Sequence, residues 1–505
     1  MRNGMKHRLG GLLSSSGTLN QRTARGIAWS FVSNGGTEVL SFVRAVVLAR
    51  LLSPSDFGLM GAVFIVVSAM GVFTEMGLGS ALIHLGKEGG REFEGTAWLL
   101  QVIRGLLLFA VLMLTAPYIA LFFGEPRLEP MLRVIAFTFA LSGFNSIGLT
   151  LLRRDMQFQK LTGASLTTEA LSLAVTVAAA VLLRNVWALV IGELFRTAVW
   201  LAASYIVSPF RPMARFSLIA ARQLLDYGKN VFGSGLLVYL GTEGDDVLVG
   251  KLLGAESLGF YRMAYRLSNL PATSVTQVIS RVAFPAYVEL RGPDGDLRRV
   301  HEGFLKILKA TAMLSVPLAG IIAALASELV SVVLGATWRP IVPAVMVLAV
   351  FGLERSIGAV LGAWFLGIGR PQSLFRLQLL KVLVMVLVIY PLTVSYGIVG
   401  TSVAVTISAV AVQIAGLATA ARTLGHHWSA IPRTLEVPFA GTGFLIGTIV
   451  LVRKVFLLEP SLTSLFLLLM CGLAVYCGFL LLVDRKWLGY LVHSMKQSVE
   501  GRSPS

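Results

Sequence analysis

Charged side chains inside long apolar segments are the residues of this chain most able to do chemistry. These segments hold twelve basic and eight acidic residues. A charge at mid-bilayer costs at least about 2.5–3.5 kcal/mol, so such residues tend to face a cavity or a partner. The candidates for binding an anion are Arg44, Arg104, Arg133, Arg196, Arg262, Arg266, Arg281 and Arg355. The candidates for ion coupling or for service as counter-ions are Glu38, Glu75, Glu243, Asp245 and Asp246.

The segment 257–285 has the clearest pattern among these charges. Arg262 and Arg266 are four residues apart and share one helix face. Arg281 lies about 60° further round, at roughly 100° per residue. Three cations near one stripe predict an anionic ligand, and the planar fork of arginine suits phosphate. The alternative is that Glu243, Asp245 and Asp246 on the preceding span merely neutralise the three arginines.

The segment 26–48 carries a polar stripe. Its polar residues recur at three- and four-residue spacing, which places them on one helix face. They are Ser30, Ser33, Asn34, Thr37, Glu38, Ser41 and Arg44. Hydroxyl groups alone are common between packed membrane helices. The added charges of Glu38 and Arg44 favour a face that lines a wet interior.

Other charges in apolar segments have simpler interpretations. Glu354 with Arg355, and Glu193 with Arg196, are near enough in sequence to neutralise each other locally. Four lysines lie close to predicted helix ends, where a long side chain reaches the lipid headgroups. They are Lys229, Lys306, Lys309 and Lys381.

The composition indicates which elements must position these charges. The 505 residues are 55% hydrophobic and 14% charged, and the mean hydropathy is +0.78. Soluble domains carry about 25% charged residues. Glycine, of which there are 51, is more frequent in membrane helices than in soluble ones. The composition excludes disorder, a coiled coil and an ordinary cytosolic enzyme, and it predicts an all-α polytopic membrane protein.

About fourteen apolar segments are long enough to span a membrane, since a span needs about 20 residues. They lie near 26–48, 57–83, 96–122, 130–151, 162–183, 187–207, 224–249, 257–285, 303–325, 341–367, 374–394, 398–420, 437–456 and 463–483. With the N-terminus inside, the inner segments hold 24 lysines and arginines and the outer loops 7. The positive-inside rule then predicts two cytoplasmic termini. The net charge of +17 reflects this topology, not nucleic-acid binding.

Two short segments suggest an internal repeat. Residues 50–58 read RLLSPSDFG after the first span, and residues 251–259 read KLLGAESLG after the seventh, 201 residues later. An even number of spans between them gives both the same orientation, which predicts two parallel six-helix lobes. The predicted regions are a cytoplasmic segment 1–25, an N-lobe 26–210 with helices 1–6, a C-lobe 211–425 with helices 7–12, helices 13 and 14 at 426–485, and a cytoplasmic tail 486–505.

Sequence signatures of catalysis and of cofactor binding are missing. The chain has no GxxxxGK[ST] loop, no GxGxxG after a strand and no HExxH. Its two cysteines, Cys471 and Cys477, lie in one apolar run and are interpreted as packing residues. We therefore expect no metal, no cofactor and no enzymatic activity. The energy for any transport must come from an ion gradient, the membrane potential or the substrate gradient.

Six segments of the chain resemble bacterial oligosaccharide flippases of the polysaccharide transporter family, most closely the branch that handles colanic-acid-type exopolysaccharides. They are LARLLSPSDFG at 48–58, GLGSALI at 77–83, FFGEP at 122–126, LLRRDMQF at 151–158, LGFYRMAY at 258–265 and AFPA at 283–286. The likeness covers roughly residues 25–420 and weakens over the last two spans.

This resemblance implies the fold of the multidrug/oligosaccharidyl-lipid/polysaccharide exporter superfamily, with two six-helix lobes around a central cavity and two further helices. It also implies the cargo, an oligosaccharide repeat unit on undecaprenyl pyrophosphate, and a place in the bacterial inner membrane. Membrane lipids, a polysaccharide polymerase and chain-length proteins are the implied partners. The family has no catalytic motif to carry over, so the candidate site depends on the charges alone.

Several functions remain open at this point. The leading hypothesis is a flippase that works by alternating access. A multidrug or cation antiporter of the same fold would favour an acidic cavity, and twelve intramembrane bases against eight acids disfavour it. A membrane glycosyl polymerase or ligase would be expected to carry a long outer loop, which the sequence does not show. A lipid II flippase would differ only in its cargo.

Overall fold

The computed structural model describes residues 19–74, 78–208, 210–212, 215–292, 297–424 and 429–485. Within these ranges the chain is helical and contains no strand. The helices are α1 Leu19–Leu51, α2 Pro54–Thr74, α3 Leu78–Phe123, α4 Leu128–Gly143, α5 Gly148–Arg154, α6 Phe158–Leu183, α7 Trp187–Val207, α8 Leu218–Arg291, α9 Leu297–Ala324, α10 Val342–Gly367, α11 Pro371–Leu424, α12 Ala430–Val455 and α13 Leu462–Val483. Three short helical turns, Ala326–Glu328, Leu329–Leu334 and Ala336–Ile341, connect α9 to α10.

The helices identify a multi-pass membrane protein. Among the described residues, nine helices are long and apolar enough to cross a membrane, or ten if α4 and α5, bent by 57°, form one span. This confirms the predicted all-α membrane class. The predicted number of fourteen spans stays a prediction.

Two of the longest helices are broken at glycines. Gly254 inside α8 has φ 82°, and Gly397 inside α11 has φ 57°. Glycine enters this left-handed region without a Cβ clash. At Gly397 the chain folds back. The hydroxyl groups of Thr393 and Thr401, on the two sides of the break, lie only 2.9 Å apart. Each break coincides with a connection that the sequence predicts between two spans.

The chain forms two compact units, Met1–Gly259 and Phe260–Ser505. Unit 1 includes the first part of α8. One contact that joins it to the unit is the hydrogen bond from the Tyr239 hydroxyl to the Ile65 carbonyl of α2 at 3.3 Å. The predicted lobe limits at 26–210 and 211–425 differ from this division and stay a prediction.

Small residues bring the helices of unit 1 together. A Cβ on Gly36 of α1 would lie 2.6 Å from Leu166 of α6, and one on Gly105 of α3 would lie 2.7 Å from Phe139 of α4. Close approach at small residues is the usual way in which membrane helices pack. The contact at Gly36 holds α1, which carries Arg44, against α6, which carries Glu169.

In unit 2 the last two helices pack against α9. The Tyr476 hydroxyl of α13 donates to the Met313 carbonyl of α9 at 2.8 Å. Arg453 of α12 binds Glu328 at 2.8 Å, and that glutamate side chain is only 2% exposed. The helices that the sequence places outside the repeat are therefore part of the buried core of this unit.

Candidate functional site

An ion-pair cluster in unit 1 joins three helices. Arg44 Nη1 of α1 lies 3.7 Å from Glu169 Oε2 of α6. Arg196 Nη1 of α7 lies 3.8 Å from the other oxygen of Glu169. Arg196 also donates to Glu193 through Nε at 3.0 Å and through Nη2 at 2.5 Å. The pairing of Glu193 with Arg196 is the local neutralisation that their spacing predicts.

The cluster carries no net charge, since two arginines face two glutamates. It is not sealed, because the side chains of Arg44 and Arg196 are 23% and 37% exposed. Each charge of the cluster has an opposite charge nearby, and removing one partner of such a pair leaves a costly uncompensated charge. The cluster can therefore hold α1, α6 and α7 together, and an anion could bind its arginines only in competition with the two carboxylates.

A cavity of about 450 Å³ lies in unit 2 between α8, α10 and α11. Its charged lining residues are Glu354, Arg355 and Lys381. Its polar uncharged lining residues are Thr276, Gln378 and Gln413. The size is typical of a small-molecule pocket, and a few convergent polar groups among apolar ones are typical of a specific one.

Two cations and one acid give this cavity an excess positive charge. Arg355 presents a rigid fork that can bind two oxygens of one phosphate group, whereas Lys381 supplies a point charge. The Lys381 ammonium lies 5.3 Å from the ring centre of Phe351, within the range of a cation–π contact. The side-chain amides of Gln378 and Gln413 can donate to and accept from hydroxyl groups. The lining therefore suits a molecule with both phosphate and hydroxyl groups.

Gly358 provides the space for these polar groups on α10. A Cβ at this position would lie 3.3 Å from Glu354 Oε1 and 3.8 Å from Gln413 Oε1. Glycine one helical turn after Glu354 therefore lets the carboxylate lie along α10 beside the amide of α11.

Of the eight predicted anion-binding arginines, the structure brings only some together. Arg44 and Arg196 meet in the cluster of unit 1, and Arg355 lines the cavity of unit 2. Arg133 forms a pair with Glu129 one turn earlier on α4, where its side chain is 52% exposed. Arg104 is partly buried on α3. The binding role of each of these arginines stays a prediction.

The remaining predicted residues lie elsewhere. Arg262 and Arg266 are half-buried on the second part of α8, in unit 2, and are not among the residues that line its cavity. Glu38, Glu243 and Asp246 are half-buried and Asp245 is buried, all four in unit 1. Glu75 and the side chain of Arg281 lie outside the described residues.

Two hydroxyl groups of the polar stripe of α1 bond to carbonyl groups of their own helix. The Ser30 hydroxyl donates to the Gly26 carbonyl at 2.8 Å, and the Thr37 hydroxyl donates to the Ser33 carbonyl at 2.9 Å. Such bonds let hydroxyl groups sit in a membrane helix without another partner. Arg44, at the charged end of the stripe, reaches Glu169 of another helix.

Two residues of these sites were not among the sequence candidates. Glu169 is the central carboxylate of the cluster, and Lys381, predicted to reach the headgroups, instead lines the cavity. In the sequence, the only sign that Glu169 and Lys381 could be site residues is that each is a charged residue inside an apolar segment. Lys309, another lysine assigned to the headgroups, pairs with Asp484 at the end of α13.

The sequence comparisons identify the family. A family model described as "Polysaccharide biosynthesis protein" matches residues 47–343, more than half of the chain. The chain belongs to this family. The lipopolysaccharide biosynthesis protein WzxC of Escherichia coli (strain K12) is 23% identical over 399 residues, which cover 79% of this chain and 80% of that protein. The succinoglycan biosynthesis transport protein ExoT of Rhizobium meliloti (strain 1021) is 28% identical over 342 residues, which cover 67% and 68% of the two chains.

A solved structure gives the same answer for the fold. The structure described as "Lipid II flippase MurJ, inward closed conformation" matches with a TM-score of 0.76 and covers 92% of this chain and 100% of that one. The two sequences are 14% identical, so the likeness shows the fold alone. The family resemblance and the membrane-transporter fold that the sequence motifs predict are both confirmed.

Proposed function

We propose that this protein is a flippase that moves undecaprenyl-pyrophosphate-linked oligosaccharide repeat units across the cytoplasmic membrane by alternating access, for exopolysaccharide or lipopolysaccharide synthesis. Its family of polysaccharide biosynthesis proteins supports the pathway. A relative named as a transport protein and a fold shared with a lipid II flippase support transport rather than catalysis.

The observation that carries the proposal is the cationic cavity of unit 2. Arg355 and Lys381 face it with a single acid, and two amide side chains lie beside them. A pyrophosphate attached to a sugar offers the anionic oxygens and the hydroxyl groups that this lining can bind. Because the cavity lies among apolar helices, its charges act in a poorly screened environment and attract an anion strongly.

The same cavity disfavours the competing functions. An exporter of cationic drugs needs an excess of acid, whereas the cavity holds two bases and one acid. A polymerase or ligase needs a large outer domain. The described connections at 124–127 and 456–461, both on the predicted outer side, are only a few residues long.

The topology and the partners follow from the same proposal. Both termini lie in the cytoplasm, as the distribution of basic loop residues predicts. The cargo is loaded at the inner face and released at the outer face, where a polysaccharide polymerase and its chain-length partner receive it.

A complementation experiment tests the function. In a strain that lacks the gene, Arg355→Ala should support at least about tenfold less polymer than the unmodified protein, since a lost hydrogen bond to a charged group costs roughly 1.5–3 kcal/mol. The undecaprenyl-pyrophosphate-linked oligosaccharide should accumulate on the inner leaflet, at an unchanged protein level. The matched control is Arg422→Ala, because Arg422 is exposed in the last turn of α11. Normal polymer with Arg355→Ala would remove the cavity from the transport path.

A further inference from the structure

Two buried polar atoms in the wall of the unit 2 cavity make no hydrogen bond. They are Thr276 Oγ1 on α8 and Gln413 Nε2 on α11, and neither has a partner within the part of the chain that the structure describes. A buried polar group without a partner costs free energy, and the great majority of such groups in proteins are paired. Two of them in the wall of one cavity point to a polar ligand that pairs with both.

Polar side chains about two helical turns away on the same helices are paired. The Ser268 hydroxyl of α8 donates to the Val345 carbonyl of α10 at 3.1 Å. The Thr406 hydroxyl of α11 donates to the Val347 carbonyl of α10 at 3.4 Å. Neither Ser268 nor Thr406 lines the cavity. Packing against α10 therefore satisfies the hydroxyl groups outside the cavity, and it leaves the two polar atoms of the cavity wall for another partner.

The chemistry of the two unpaired groups differs from that of the two cations beside them. Arg355 and Lys381 carry charge and suit phosphate. An amide nitrogen only donates, whereas a threonine hydroxyl both donates and accepts. The amide oxygen of Gln413 lies near α10, since a Cβ on Gly358 would lie 3.8 Å from it. The nitrogen of the same amide therefore needs a separate oxygen acceptor, and a sugar hydroxyl supplies one while offering a hydrogen to an acceptor such as Thr276.

The size of the cavity fits a phosphate group with one sugar beside it. Its volume of about 450 Å³ lies in the lower part of the range of about 300–1,000 Å³ that is typical of pockets for single small molecules. Gly358 and Gly362 both line the cavity, and because they are four residues apart they leave one face of α10 without side chains. This bare face provides room for a ring next to the two cations.

Given the proposed transport of pyrophosphate-linked oligosaccharides, on which this inference rests, we propose that Thr276 and Gln413 bind hydroxyl groups of the sugar joined to the pyrophosphate and determine which sugar is accepted. Arg355 and Lys381 bind the group that every such lipid shares, so they do not distinguish one cargo from another. A site built to hydrogen-bond a substrate hydroxyl rejects a ligand that lacks it, because the polar groups of the site then stay unpaired.

The competing interpretation is that the two atoms belong to a water-bridged network that holds α8 against α11. A buried water typically bonds to about three polar groups. The two interpretations differ in what Thr276→Val with Gln413→Leu does, since these changes remove both polar groups and nearly preserve their size. If the atoms pair only with cargo, the thermal unfolding midpoint stays normal or rises, because two unsatisfied groups are gone. If they hold the helices together through water, the midpoint falls.

The experiment measures lipid binding to the purified full chain in detergent by native mass spectrometry. The probes are undecaprenyl pyrophosphate without a sugar and the same lipid carrying glucose, galactose or N-acetylglucosamine. The test variant is Thr276→Val with Gln413→Leu. The matched control is Thr406→Val with Gln223→Leu, in which Thr406 is bonded to α10 and Gln223 is exposed near the start of α8. Thermal unfolding is recorded for each protein.

The unmodified protein and the control should bind the best sugar-bearing lipid at least about fivefold more tightly than the bare lipid, which is the effect of two ordinary hydrogen bonds. The test variant should bind the bare lipid normally and the sugar-bearing lipids no more than about twofold better than the bare one. Its unfolding midpoint should not fall.

Three results would overturn the assignment of Thr276 and Gln413. They are a sugar preference that survives in the test variant, a bare lipid that binds the unmodified protein as tightly as every sugar-bearing one, and a lowered unfolding midpoint of the test variant. Failure of the unmodified protein to bind any of the four lipids would instead reject the proposed function, and the assignment with it. The binding of the bare lipid therefore separates the two failures.

Discussion

The charge cluster of unit 1 and the cavity of unit 2 are built from the same residue types and have different electrostatics. In the cluster, Arg44 and Arg196 share Glu169, and Arg196 has Glu193 as well. In the cavity, Arg355 and Lys381 are accompanied by one acid. An arginine inside the membrane is therefore not by itself evidence of cargo binding. The number of carboxylates around it decides whether its charge remains available.

This difference assigns separate tasks to the two regions. Removing one member of a compensated cluster leaves a charge without its partner, so the effect should appear in stability. Removing a cation from the cavity takes away attraction for an anion, so the effect should appear in transport. Measuring export and stability on the same variants separates the two.

The largest effect is expected from the double substitution Arg355→Ala with Lys381→Ala. Two lost contacts of roughly 1.5–3 kcal/mol each should reduce export at least about 100-fold, since each 1.4 kcal/mol is a factor of ten. With Glu354→Gln added, so that no carboxylate in the cavity is left without a cation, the thermal unfolding midpoint of the purified protein should stay close to normal. Polymer production in a strain lacking the gene is the measurement.

The matched variant in unit 1 is Arg44→Met with Glu169→Gln, which removes one charge of each sign. Replacing an ion pair by uncharged groups of similar size is often neutral, so export should stay within about threefold of normal. Arg196 keeps Glu193 as its partner. If this variant lost as much export as the cavity variant, the two regions would share one task and the comparison would fail.

An intermediate effect is expected from Glu169→Ala alone. Arg44 then loses the carboxylate it pairs with, and Arg196 loses one of two, which should lower the free energy of unfolding by about 1–3 kcal/mol. Thermal unfolding in detergent measures the change. Adding Arg44→Ala to the same chain should recover part of the loss. A normal unfolding midpoint with lost export would instead place this carboxylate in the transport step.

The smallest effect is expected from Arg133→Ala. Its pair with Glu129 is exposed on α4, with side chains 52% and 35% exposed, and such helix pairs contribute roughly 0.3–0.5 kcal/mol. Export should remain within about twofold of normal, because the substitution removes no more than that small contribution. A large loss of export at normal stability would instead support the anion-binding role that the sequence predicts for Arg133.

The sequence alone predicted the fold class and the family. Low charge and long apolar segments require helices in a membrane, because no other element satisfies its backbone hydrogen bonds there without closing into a barrel. Short motifs around residues 50–58 and 258–265 carried the family resemblance. The spacing of three also predicted the ion pair between Glu193 and Arg196, because residues three apart on one helix are neighbours.

Only the tertiary structure decided which charges on different helices meet. Arg44 and Glu169 are 125 residues apart in the sequence, and helical periodicity gives the angle of a side chain on its own helix without naming the neighbouring helix. For the same reason Lys381 was predicted to reach the headgroups, although the packing of α10 against α11 places it in a cavity beside Phe351. The motifs that contain Gly58 and Gly259 could be matched by eye in the sequence. The sequence does not show that Gly58 lies against the Ala255 carbonyl and Gly259 against the Pro54 carbonyl. Such a contact depends on how closely two backbones approach once the helices are assembled.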